Sequence, residues 1–479
     1  MTTDTPQDAT ITDVEIPRNK VIDRTEALGV SSIKKLLIEY GGPGIVAMTA
    51  SSLYNMVDSI FIGQGVGPMA ISGLALTFPV MNLSAAFGAM VGVGASTLLS
   101  VKLGEGDKET SKRVLGNVVN LNVLLGLSFM FIMLYYLDPI LYFFGASENT
   151  IGYAREYLQI ILYGNTITHT YLGLNATLRS AGHPRKAMVY TLITVVLNTI
   201  LDPIFIYPLK MGIAGAAWAT VIAQCVPLIL ELIHFSNQKE LIHFSREIFV
   251  PRWDIIKESL YIGLSPLCMQ AAACCVVIVI NKSLSFYGGP EQGDLAIGAY
   301  GIITKLAMFV VMMIMGLNQG MQPIAGYNYG ARKYDRVKQV YWYTVFVATI
   351  FTVLFFFVAE LCPELAVRVF TTEQKLIDIA VYALKASSVC FPVLGLCIVT
   401  TAFFQSMGLA KTSIFLSLTR QFIFLIPFLM VLPKYWGING VWYSLPASDA
   451  AATLLSAIMV YRLFRKFNKQ AAGSLKLEA

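Results

Sequence analysis

AISGLALTFPVMNLSAAFGAMVGVGASTLL, residues 70–99, runs for 30 residues without a charged side chain. A stretch of equal length at 296–325, AIGAYGIITKLAMFVVMMIMGLNQGMQPIA, carries only Lys305. A helix needs about 20 apolar residues to cross roughly 30 Å of hydrocarbon, so each stretch reads as a membrane-spanning helix. Spanning strands would be half as long and would alternate in polarity, and neither feature is present. Working outward, further apolar blocks lie near 36–62, 114–137, 151–178, 187–208 and 211–235. A second set lies near 257–286, 338–361, 376–406, 411–432 and 437–463. The expected fold is an all-α polytopic membrane protein of twelve transmembrane helices.

Composition agrees. Of 479 residues, 56% are hydrophobic and 13% charged, about half the charged share of a soluble domain. Residues 1–30 are polar and lack the apolar core of a signal peptide, so they are expected to form a flexible cytoplasmic tail. The seven cysteines show no CxxC spacing, and His169, His183, His234 and His243 show no metal spacing. Gly88, Gly92 and Gly94 resemble a nucleotide fingerprint, but no strand precedes them, and close helix–helix contact is the simpler reading.

Positive charge marks alternate connections. Lys102, Lys108, Lys112 and Arg113 follow span 2, Arg179, Arg185 and Lys186 follow span 4, and Arg332, Lys333, Arg336 and Lys338 follow span 8. The odd connections are poor in such residues. Cytoplasmic loops attract Lys and Arg, so even-numbered loops and both termini are expected in the cytoplasm. This topology accounts for the basic clusters without nucleic acid.

The quoted stretches are 226 residues apart, and the offset recurs. Ala70-Ile71 matches Ala296-Ile297, Gly94 matches Gly320, and Ser180-Ala-Gly182 matches Ser406-Met-Gly408. Each half has an even number of spans, so the halves are parallel repeats. The expected organisation is a first six-helix lobe at 31–236, a cytoplasmic inter-lobe loop at 237–256, a second lobe at 257–463 and a cytoplasmic tail at 464–479. A small echo, Glu231-Leu-Ile-His-Phe-Ser236 and Glu240-Leu-Ile-His-Phe-Ser245, has a nine-residue offset. On one continuous helix the copies would not share a face.

A carboxylate at mid-membrane costs about 2.5–3.5 kcal/mol even on the milder insertion scale, so an intramembrane acid is a functional candidate. Asp58 shares a helix face with Asn55, and Asp202 shares one with Asn198. Pro203 frees a carbonyl one turn back. Oxygen donors of this kind suit Na⁺, and buried paired carboxyls suit H⁺ equally. The simpler alternative places Asp202 near the surface, in water. The second half has Leu284 in place of Asp58, Ile423 in place of Asn198 and about Pro427 in place of Asp202. Span 8 offers a candidate substrate cleft in Lys305, Phe309, Met312, Gln319 and Gln322, with Asn55 facing it from span 1; flexible Met and flat Phe suit varied ligands.

The stretches Leu53-Tyr-Asn-Met-Val-Asp58-Ser-Ile-Phe-Ile-Gly63, Asn198-Thr-Ile-Leu-Asp202-Pro203, Gly215-Ala-Ala-Trp-Ala-Thr220 and Gly316-Leu-Asn-Gln-Gly320 resemble the multidrug and toxic-compound extrusion (MATE) family, in its MepA-like branch. The resemblance implies two six-helix lobes about a central cleft and export driven by inward Na⁺ or H⁺. It further implies a coupling cation, Na⁺ among the candidates, held by Asp58, Asn198, Asp202 and Thr220 with the Ala216 carbonyl nearby. Asn175 would join the surrounding hydrogen-bond network. Other branches carry an acid in span 7, and residues 260–286 contain none.

The expected function is a secondary active antiporter in the bacterial inner membrane. It would act as a monomer, exporting amphipathic, often cationic xenobiotics, with antibiotic resistance as the consequence. A flippase for lipid-linked envelope precursors is the related alternative, a membrane-embedded enzyme a more distant one, and a passive channel a third. No reactive constellation is evident, and no cofactor is expected beyond the coupling ion.

Overall fold

The computed structural model describes residues 25–475, apart from the side chains at 55, 56, 68, 290, 291 and 471–475. The described chain is helical, with no strand. Ten helices are long and apolar enough to cross a membrane, among them Ile33–Ile62, Met69–Glu105, Trp253–Gly289 and Gln292–Gly330. Gln374–Ser388 and Phe391–Ser406 form one further span, bent by 59°. Ile151–Tyr163 and Asn165–Ser180, interrupted at Gly164, complete the twelve. Many apolar side chains point outward, Phe131, Phe346 and Leu354 among them, as helices apolar on every side must in a bilayer.

The repeat is visible in the helix ends. Gly182 and Gly408 both terminate a span with positive φ, 92° and 74°. A left-handed residue at this position closes the last turn, and glycine adopts it without steric cost. The breaks in spans 4 and 10 fall at equivalent places. So do two short helices, Leu137–Phe143 and Pro363–Arg368, at the ends of spans 3 and 9.

The two ends of the molecule differ. At the end carrying the basic loops, the hydrophobic cores are shared between lobes. Leu36, Leu37 and Tyr40 of span 1 pack with Leu317, Val340 and Phe403 of the second lobe, and Ile255 and Ile262 of span 7 pack with Leu98 and Val114. Backbones touch there. A Cβ at Gly94 would run into the Ser259 carbonyl, and one at Gly263 into the Met90 carbonyl. At the opposite end each lobe has cores of its own. The lobes are thus closed at the basic end and parted at the other.

Three boundaries differ from expectation. Residues 1–24 of the expected tail lie outside the described residues, but Ala27–Val30 is a helical turn with Leu28 buried in the second lobe's core. Asn328 and Arg336 donate to the Leu28 carbonyl at 2.9 and 3.1 Å. Span 7 begins at Trp253, and the last helix continues through the expected tail to Leu475. The charge pattern marks where the membrane ends, whereas a helix of Arg, Lys and Phe residues continues beyond it.

Candidate cation-coupling site

The first lobe buries its two acids together. Span 1 delivers Asp58, span 5 (Pro184–Ile206) delivers Asn198 and Asp202, and span 6 (Gly212–Ser236) delivers Ala216 and Thr220. Asp58 is 7% exposed and Asp202 0%, so the reading of Asp202 as a surface acid fails. Their carboxyl groups lie close enough to interact with each other. Two carboxylates in contact require a shared proton or a cation between them. With its amide oriented to satisfy both neighbours, Asn198 donates Nδ2 to Asp202 Oδ2 at 2.8 Å, and its Oδ1 lies 3.1 Å from Thr220 Oγ1. The Thr220 hydroxyl also lies 3.1 Å from the Ala216 carbonyl. Asp58 Oδ1 is buried without a partner. An orphaned anionic oxygen in a set made only of oxygen donors is what a hard cation or a proton would satisfy.

The geometry adds two residues that the sequence reading passed over. The Tyr54 hydroxyl is 3.5 Å from Thr220 Oγ1, and the buried Tyr157 of span 4 packs in one core with Ala216 and Val221, beside Thr220. Tyr54 stands one turn before Asp58 and could have been found by helical spacing; Tyr157 arrives only through tertiary packing.

Asn175 is placed differently from the implied network. Its Nδ2 donates to Glu231 Oε1 at 3.0 Å and to the Ala187 carbonyl at 3.1 Å, and its Oδ1 accepts from Arg179. It thus anchors a second buried polar cluster, because Glu231 is fully buried and needs donors.

The expected cleft residues divide. Gln322 Nε2 crosses between lobes to Ser96 Oγ at 2.8 Å and Thr97 Oγ1 at 2.6 Å, and Gln319 Nε2 reaches Met48 Sδ at 3.2 Å. Both line a cavity of about 140 Å³ shared with Met269, Asn318 and Arg420. That volume is below the roughly 300–1,000 Å³ of drug-sized sites, as expected where the lobes have closed. Lys305 and Phe309 are exposed and Met312 is half-buried, none of them lining this cavity. The Asn55 side chain lies outside the described residues. The second lobe has no matching acid pair; Arg420 Nε instead bonds Asp449 Oδ1 at 2.8 Å, beside a π-helical segment at Thr419–Leu425.

Two parallel six-helix lobes, closed at one end over a buried acid site, define a membrane transporter that works by alternating access. The MatE family profile matches residues 43–204 and 268–431, one stretch in each lobe, and the chain belongs to this family. It is 28% identical over 451 residues to the multidrug export protein MepA of Staphylococcus haemolyticus, covering 94% of this chain and 98% of that one. It is 27% identical over 434 residues to MepA of Staphylococcus aureus strain N315, covering 90% and 94%. A solved outward-facing multidrug resistance MATE family transporter superposes with a TM-score of 0.87 at 25% identity, covering 92% of this chain and 98% of that one. A MATE in a bent conformation gives 0.87 at 24%, covering 95% and 100%.

Proposed function

We propose that the chain exports amphipathic, often cationic small molecules from the bacterial cytoplasm across the inner membrane, driven by inward Na⁺ or H⁺ at Asp58 and Asp202, with both termini cytoplasmic. The observation that carries the reading is the buried Asp58–Asp202 pair with its orphaned oxygen, in a lobe that is parted from the other at one end only. The two MepA relatives, multidrug exporters by name, support the substrate class and favour export over the flippase alternative.

In this reading the parted end faces outward. The paired carboxyls take up a cation there through span 1, with Asn198, Thr220 and Tyr54 fixing their orientation. An inside-negative potential favours inward movement of that charge by roughly 2.3 kcal/mol per 100 mV. Discharge leaves two like charges in a low-dielectric pocket, which biases the lobes towards the conformer that can reload. A shared proton would join the two carboxyls directly; Na⁺ would part them and use the same oxygens.

Dye accumulation in inverted membrane vesicles, driven separately by imposed Na⁺ and pH gradients, tests the proposal. Accumulation should follow at least one gradient and exceed equilibration. Dye that only equilibrates under both would mark a passive channel and overturn it.

A further inference from the structure

The nine-residue echo at 231–245 acquires a physical meaning in the fold. The first copy ends span 6, and the second is not helical: it folds back along the helix end, with Phe244 N bonded to the Phe235 carbonyl at 2.7 Å. The first copy therefore supplies His234 and the second Glu240, on facing surfaces. His183, the residue before span 5, completes the group. Ligand-capable atoms of His183, His234 and Glu240 all lie within 4.8 Å of one another. His183 Nε2 is 3.0 Å from Glu240 Oε2, and His234 Nδ1 is 3.9 Å from Glu240 Oε1. The spacing of the histidines in the chain gives no sign of this group. Their 51-residue separation in the chain hid it, because the ligands meet only where spans 5 and 6 end together.

We propose that His183, His234 and Glu240 form a site for a divalent transition metal of the Zn²⁺ type, which fastens the inter-lobe loop to the basic end of the first lobe. Two imidazoles and a carboxylate, leaving the fourth position open, are a common zinc set. Zinc bonds of about 2.0–2.1 Å in a tetrahedron place ligand atoms roughly 3.3 Å apart, so the widest pair of the group has to close by up to about 1.5 Å. Both histidines are buried near helix ends, whereas Glu240 is partly exposed on a loop and can adjust its own distance to each of them.

A second observation shows that the group already attracts a cation. Lys186 Nζ donates to His234 Nδ1 at 3.1 Å and lies 3.8 Å from Glu240 Oε1. An ammonium has no acceptor, so the His234 Nδ1 lone pair faces the site. The Lys186 side chain is 44% exposed, beside a cavity of about 300 Å³ that it lines with His183 and Glu39. It can swing there when a metal enters. Lysine and metal therefore compete for one place.

The consequence is regulatory. The loop that follows Glu240 leads directly into span 7 and the second lobe, while spans 5 and 6 carry Asn198, Asp202 and Thr220 at their other ends. A metal clip would shorten the tether about which the lobes rock.

The test is Zn²⁺ binding to the purified full-length protein by competition with a fluorescent chelator, with Co²⁺ absorption as a second readout of ligand geometry. One equivalent should bind to the wild-type protein. Affinity should fall at least tenfold in His234→Ala and Glu240→Ala, rise in Lys186→Met, and stay unchanged in Asp58→Asn. The last result separates this site from the coupling acids and keeps the proposal independent of the transport reading. No stoichiometric binding, equal binding by a variant with Ala at 183, 234 and 240, or weaker binding by Lys186→Met would each overturn it. Preserved melting behaviour of the variants establishes that each is folded.

Discussion

The two lobes bury acid in opposite ways. The first places Asp58 near Asp202 with no basic side chain bonded to either among the described residues, and leaves Asp58 Oδ1 without a partner. The second buries Asp449 together with its own cation, Arg420. A pair that carries its counter-charge is complete and needs nothing from solution. A pair that lacks one must take a proton or cation from outside, and its energy then depends on which side of the membrane supplies it. The repeat built two similar scaffolds, and in the proposed reading the missing base makes one of them responsive to an ion gradient.

That difference can be broken at either lobe. The largest effect is expected from Asp202→Asn: concentrative efflux in vesicles should lose roughly 50-fold per 100 mV, the factor equivalent to one coupled charge, while Asp449→Asn keeps the coupling. Structural damage should run the other way. Asp449→Ala strands Arg420 and should cost roughly 1–3 kcal/mol, below the range for fully buried pairs because Arg420 is partly exposed; a lowered melting temperature in detergent would register it. A smaller shift is expected from the closed end. Gly94→Ala should favour the conformer open at the basic end, read as increased labelling of a cysteine introduced there, whereas Gly42→Ala, with open space around it, should change nothing.

The smallest effect concerns Glu240. Its folded-state pKa is depressed, so its contribution to loop docking is fully present above the ordinary carboxylate value and is lost as pH falls below it. Hydrogen exchange of residues 237–250 should accelerate in that acidic window and not above it.

Much of this was legible in the sequence because the membrane enforces simple rules. Apolar length gave the spans, loop charge gave their alternation, and a constant offset gave the lobes. Asp58, Asn198 and Asp202 stood out because acids and amides are rare at such depth, and the pairs share helix faces. What was hidden depends on packing between distant segments. Tyr157 meets Thr220 only when span 4 packs against span 6. Asn175 reads as part of the coupling site until Glu231 is seen to claim its amide. The docking of Leu28 on Asn328 and Arg336 crosses about 300 residues, and no local pattern announces it. The bend of span 10 escapes hydropathy because apolar residues continue across it.

The central claim is that the coupling ion resides on the first lobe's acid pair. Ion release on substrate binding, followed in purified protein with a pH indicator and a Na⁺-sensitive probe, tests it most directly. Wild-type protein should release H⁺ or Na⁺ when a cationic dye binds, and the Asp58→Asn/Asp202→Asn variant should bind dye and release neither. Undiminished release from the double variant would contradict the account.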